Sequence, residues 1–241
     1  MTDAHCHLQY LSDIGSEVQR CKAAGITRLI CAGYDLESSK KAIEITKQFP
    51  QVFATVGSHP DAKDFDREIL LKLAKHPKVV AIGECGLDSD DTRELELLSL
   101  HVALAKETNL PLIIHNRHQD QKVLEILGNY PKVMLHCFTG DENFMQTCVG
   151  RGWYISFGGI LTFKKSDELR AIAKLVPEDR LLVETDSPYL SPEPHRGSQN
   201  QPKNVKIIAQ LLANLRNTSI NRIEEITDQN VIKLFNIPHP A

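Results

Sequence analysis

Short apolar runs rich in β-branched residues alternate with amphipathic stretches along the whole chain, the pattern of repeated strand–helix units that build a parallel sheet. Eight runs are predicted as strands: Asp3 to His7, Arg28 to Cys31, Val52 to Val56, Val79 to Gly83, Leu112 to His115, Val133 to His136, Trp153 to Phe157 and Leu181 to Glu184. Between them, segments such as Arg93 to Thr108 and Ser166 to Leu175 space apolar residues three and four apart, as helices packing one stripe on a sheet do. Pro111, Pro131 and Pro177 precede the fifth, sixth and eighth runs, where a helix has to stop. Val205 to Phe235 reads as further helices. Eight strands in this order predict a closed (β/α)8 TIM-like barrel of the α/β class, with residues 1–241 as a single domain. A doubly wound open sheet is the competing architecture, but the glycine-rich loop it usually places after its first strand is missing.

Composition leaves that picture standing. With 41% hydrophobic and 24% charged residues, the chain can bury a large core beneath a polar surface. Its 28 basic and 31 acidic residues give a formal charge of -3, so any phosphate site has to be local rather than a basic envelope. Six scattered cysteines without a CxxC pair predict free thiols. The opening MTDAHCHLQY has no secretory pattern and no stretch is long and apolar enough to span a bilayer, so a cytoplasmic protein without a membrane partner is the expectation, with a monomer as the default state.

The candidate chemistry sits where the strands end, on the face where barrel enzymes assemble their sites. In DAHCHL, His5 and His7 stand at i and i+2, which on a regular strand turns both rings to one side. Glu84 follows the buried fourth run and would be expensive to bury without a partner; its two oxygens suit it to bridge two cations. His115 and His136 each follow an apolar run, and Glu184 and Asp186 end the eighth. Each has a plainer reading: a hydrogen-bonded core histidine, a core ion pair with arginine for Glu84, a helix N-cap for Asp186 or Ser187. Their joint occurrence predicts a site for two divalent ions, with nitrogen and oxygen donors that suit zinc, magnesium or manganese and do not select among them. Paired cations lower the pKa of a water and neutralise charge on a phosphoryl or carbonyl oxygen, so the expected reaction is hydrolysis, with Glu84 and Asp186 as the catalytic carboxylates and Asp186 as general base. Arg117, beside His115, and His195 with Arg196, near the last loop, offer donors to an anion.

DAHCHL at 3–8, GSHP at 57–60, GECGLD at 83–88, HNR at 115–117, HCFTG at 136–140, SFGG at 156–159, ETDSPYL at 184–190 and PHRGSQNQP at 194–202 together resemble the TatD-type metal-dependent deoxyribonucleases of the metallo-dependent hydrolase superfamily. The resemblance implies one metal held by His5, His7, Glu84 and Asp186, and a second held by Glu84, His115 and His136. It also implies 3'-to-5' exonucleolytic cleavage of DNA ends or single strands, with His59 near the scissile phosphate and Arg117 or Arg196 as phosphate contacts. Gln9, Asp61 and Ser89 depart from the family pattern, respectively where an acidic residue, a second histidine and an aromatic are usual. Three rival readings accompany this one. A deaminase or amide-ring hydrolase with paired metals commonly uses a modified lysine where this chain has Glu84. An esterase or deacylase on aminoacyl-tRNA or small phosphate esters would use the same site. A non-catalytic barrel would be expected to lose ligands.

Overall fold

The computed structural model describes residues 1–238; the last three residues of the expected domain lie outside the described residues. Eight parallel strands follow in sequence order, β1 (Thr2–Cys6), β2 (Arg28–Cys31), β3 (Val52–Val56), β4 (Val79–Leu87), β5 (Leu112–Asn116), β6 (Val133–Leu135), β7 (Tyr154–Phe157) and β8 (Leu181–Val183). This is the (β/α)8 barrel, and the sequential order removes the doubly wound alternative. Among the described residues nine α-helices lie outside it: α1 (Ile14–Ala23), α2 (Leu36–Gln48), α3 (Arg67–Ala74), α4 (Thr92–Thr108), α5 (Asp120–Leu127), α6 (Glu142–Gly150), α7 (Asp167–Leu175), α8 (Val205–Leu215) and α9 (Ile220–Phe235). Among the described residues no helix is long and apolar enough to cross a membrane, and all six cysteines are free.

The core has two layers. An outer layer packs strands against helices, and an inner one takes a residue from every strand: Ala4, Ile30, Phe53, Ala81, Ile113, Met134, Tyr154 and Leu182. Val231, Leu234 and Phe235 of α9 join the inner layer, so the barrel is a packed interior closed at one end, and polar side chains collect at the other. Strands buried on both faces read as continuous apolar runs, which is why their positions follow so directly from the sequence.

Two departures from regular strands position the site. In β1, Asp3 pairs with Leu29 and Cys6 with Cys31, one residue too many on β1. In β4, Ile82 pairs with Leu112 and Cys85 with Ile114, again one too many. Such bulges re-aim side chains: Ala4 stays in the inner layer while His5, next to it, still stacks on His136. The i, i+2 reasoning for His5 and His7 is thereby corrected, because β1 is bulged at His5 and ends before His7. Nor does β4 stop at Gly83; it continues to Leu87, with Gly86 paired to His115. A Cβ at Gly86 would lie 1.8 Å from the His115 carbonyl oxygen, so only glycine permits that approach.

Candidate metal centre

Five histidines and two carboxylates converge at the open end of the barrel. His5 Nε2 and His7 Nε2 are 3.2 Å apart, and lie 3.4 and 3.5 Å from Glu84 Oε2. Asp186 Oδ1 is 3.6 Å from the first and 3.3 Å from the second. The other oxygen, Glu84 Oε1, faces His136 Nε2 at 2.9 Å and His115 Nδ1 at 3.2 Å, and those two nitrogens are 3.3 Å apart. His59 Nε2 reaches the same Oε1 at 3.7 Å. Donors at about 2.0–2.1 Å from a tetrahedral cation stand roughly 3.3–3.4 Å from one another, so both groups of atoms are spaced to hold a divalent ion.

The far ring nitrogens decide which atoms are free to ligate. His7 Nδ1 donates to the Ala32 carbonyl at 3.0 Å, His115 Nε2 to Asp88 Oδ1 at 2.8 Å, and His136 Nδ1 to Glu184 Oε1 at 3.1 Å. Each leaves the inward nitrogen as a lone pair, the usual arrangement behind metal-binding histidines. His5 differs: its Nδ1 is buried without a partner. Lone pairs facing carboxylate oxygens need a positive charge between them, whether a proton or a cation. With protons in that role, burial opposes ionisation of His136, but the charges of Glu84 and Glu184 raise it well above its ordinary value. Burial likewise opposes the charge on Glu84, and His136, His115 and His5 hold it well below the usual carboxylate range. Asp186 is lowered against the effect of burial by its His7 hydrogen bond and the charge of His136. Burial, reinforced by the charge of His136, pushes His5 down.

Asp186 caps no helix; its backbone is left-handed, with φ 56°, and its carboxylate faces the histidines, which removes the N-cap reading. Glu184 is fully buried and accepts from His136 and from the Cys137 N–H at 2.8 Å, without an arginine partner. Behind the turn, Asp3 accepts from the Thr185 N–H and hydroxyl, and the Asn200 amide donates to the Thr185 and Tyr189 carbonyls. The sequence reading placed Glu184 at the end of the eighth run without a role, and gave none to Asp3, Asp88, Thr185 or Asn200. Their only signal was a carboxylate close to a candidate ligand: Asp88 four residues after Glu84, Glu184 two before Asp186.

The cluster opens into a cavity of about 480 Å³ whose walls include His59, Arg117, Tyr10, Tyr34 and Tyr189. His59 Nδ1 accepts from the Asp61 N–H at 3.1 Å, so the proton of its neutral ring lies on Nε2. Burial pushes its pKa down, and the ring stacks on Tyr34. Arg117 holds Asp88 through Nε at 3.3 Å and is otherwise open. Arg196 is not brought here: it lies over the Phe163 ring, 4.1 Å from its centre, and neither it nor His195 lines the cavity. Its loop turns back on itself, with His195 N–H donating to the Pro192 carbonyl and Ser198 N–H to the His195 carbonyl. Of the three departures from the family pattern, only Asp61 lines the cavity. Gln9 is occupied by the Ala32 carbonyl and Cys31, and Ser89 by Glu94.

The model for TatD related DNases matches residues 2–236. The uncharacterized metal-dependent hydrolase YabD of Bacillus subtilis is 39% identical over 251 residues, with 98% of each chain covered. The 3'-5' ssDNA/RNA exonuclease TatD of Escherichia fergusonii is 34% identical over 248 residues, with 95% of each covered. The crystal structure of YJJV, a TatD homolog from Escherichia coli, matches with a TM-score of 0.91 at 28% identity, over 99% of this chain and 98% of the other. A barrel of this order, a histidine and carboxylate cluster at its open end and relatives aligned from end to end lead to one assignment: the chain belongs to the TatD-type family of metal-dependent hydrolases.

Proposed function

We propose that the protein is a divalent-metal-dependent phosphodiester hydrolase, a deoxyribonuclease that removes nucleotides from the 3' ends of single-stranded DNA. The observation carrying this reading is the split presentation of Glu84, with Oε2 toward His5 and His7 and Oε1 toward His115 and His136. One carboxylate would thus serve two cation positions, with His5, His7 and Asp186 holding the first and His115 and His136 the second. The donor set suits zinc, magnesium or manganese. Cations at such positions supply activation of a water and neutralisation of charge on a phosphoryl oxygen. The likeness to the exonuclease of Escherichia fergusonii supports DNA as the substrate.

The remaining work belongs to the chain's own side chains. The ionised carboxylate of Asp186 accepts the proton of the attacking water. His59, with its proton on Nε2, donates to a phosphoryl or leaving oxygen instead of ligating. Arg117 offers its outer guanidinium nitrogens to a backbone phosphate.

The test is metal-stripped protein on 3'-extended, 5'-end-labelled single-stranded DNA, with magnesium, manganese or zinc restored and Glu84→Ala run beside it. Stepwise shortening that requires both metal and Glu84 is the expected result. No cleavage by any metal-restored wild-type sample would overturn the nuclease assignment, and activity on aminoacyl-tRNA or small phosphate esters would then replace it.

A further inference from the structure

The cavity over the cluster has two chemically different walls. One is aromatic: Tyr10 from the turn after β1, Tyr34 from the loop after β2 and Tyr189 from the turn after β8. Three of the chain's five tyrosines therefore face one cavity. Tyr34 is committed within the protein, stacked on His59 at 4.6 Å between ring centres and donating its hydroxyl to Asp61 at 3.3 Å. Tyr10 and Tyr189 are not. They are 39% and 52% exposed, each has its ring centre 5.9 Å from that of His7, and among the described residues they are the exposed large aromatics. Aromatic surface kept open beside a reaction centre, from two loops adjacent around the barrel, is suited to receive another flat ring. The opposite wall carries Arg117, whose side chain is 65% exposed, with Asn116 beside it.

We propose that Tyr10 and Tyr189 form a stacking wall for the nucleobase of the nucleotide being removed, while Arg117 holds a backbone phosphate across the cavity. This rests on the nuclease reading and adds which residues give the site its preference for a base-bearing phosphodiester. Stacking uses the π-face that every base has, so the wall selects for a base without reading which one.

The test compares two single-stranded oligonucleotides that differ only in the 3'-terminal nucleotide, a normal one against an abasic one, with the metal-loaded full chain. The readout is the ratio of their kcat/KM values. Wild-type protein is expected to favour the base-bearing end, and Tyr10→Leu with Tyr189→Leu to lower that ratio about tenfold or more, given the strength of base–aromatic stacking. Tyr10→Phe with Tyr189→Phe, which keeps both rings, is expected to retain the preference. A ratio unmoved in the leucine pair, or lost equally in the phenylalanine pair, would overturn the stacking wall alone. Failure of the wild type to cleave either oligonucleotide would overturn the nuclease reading and the wall with it.

Discussion

Glu184 touches neither Glu84 oxygen and acts through the ring it holds. By accepting from His136 Nδ1 it points the Nε2 lone pair at Glu84, as Asp88 does for His115. Removing such partners typically costs 10- to 100-fold in metal affinity. Glu184→Gln and Asp88→Asn are therefore each expected to weaken one cation position by about that factor, read by titration against a chelating dye. Affinities equal to wild type at both positions would refute the assignment. The six predicted ligands were legible in the sequence because Glu84, His115, His136 and Asp186 each come at or just after the end of an apolar run, and His5 and His7 form an HxH pair at the end of the first run; strand ends share one face of a barrel. Asp88 and Glu184 were less so: what marks them is the far nitrogen of another residue's ring, and that is set by three-dimensional packing. Arg196 sits in an irregular loop, where no periodicity says which way a side chain faces, and its place over Phe163 was not legible.

Among the elements, α4 does more than cover β4. His101, fully buried on it, donates through Nδ1 to the Leu97 carbonyl at 2.8 Å and accepts through Nε2 from the Ser58 N–H at 3.0 Å. Arg93, at the start of the same helix, holds the Pro60 and Ala62 carbonyls. One helix thus braces both sides of the loop that presents His59. Burial lowers His101 from its ordinary 6.5 to about 4. The folded state then binds fewer protons than the unfolded state between those values, so stability rises with pH across that window and is lost as pH falls through it. A depression of this size corresponds to about 3 kcal/mol. His101→Gln, which keeps an acceptor for Ser58 and removes the titrating ring, is expected to flatten the change in urea midpoint between pH 6.5 and pH 4; an unaltered slope would exclude His101 as its source. At this scale the sequence was most informative, with helices such as α4 placed to within a residue. The bulges in β1 and β4 were hidden, because they appear only when a strand is registered against its neighbour.

For the whole molecule, the decisive join is between the ends of the barrel. The Asp186 N–H donates to the His5 carbonyl at 2.9 Å and the His7 N–H to the Ser187 carbonyl at 2.7 Å, so the first cation position draws its donors from both sides of the seam. A ligand that binds only the folded state stabilises it by mass action, about 2.7 kcal/mol at a hundredfold excess over Kd. At roughly 2–4 °C per kcal/mol for a chain of this size, saturating metal is expected to raise Tm by about 5 to 10 °C over EDTA-treated protein, and Asp186→Ala to lose much of that gain. Equal melting with and without metal would contradict a seam-spanning site. The two groups of donors also differ in how far apart they lie along the chain. Glu84, His115 and His136 all lie on or directly after β4, β5 and β6, whereas His5 and His7 meet a carboxylate some 180 residues later in the chain. The first position therefore ties the two ends of the sequence together, and the second also depends on β8 through the Glu184 carboxylate that holds His136. A cation bound there would be a clasp across the seam, holding the first strand to the turn after the last.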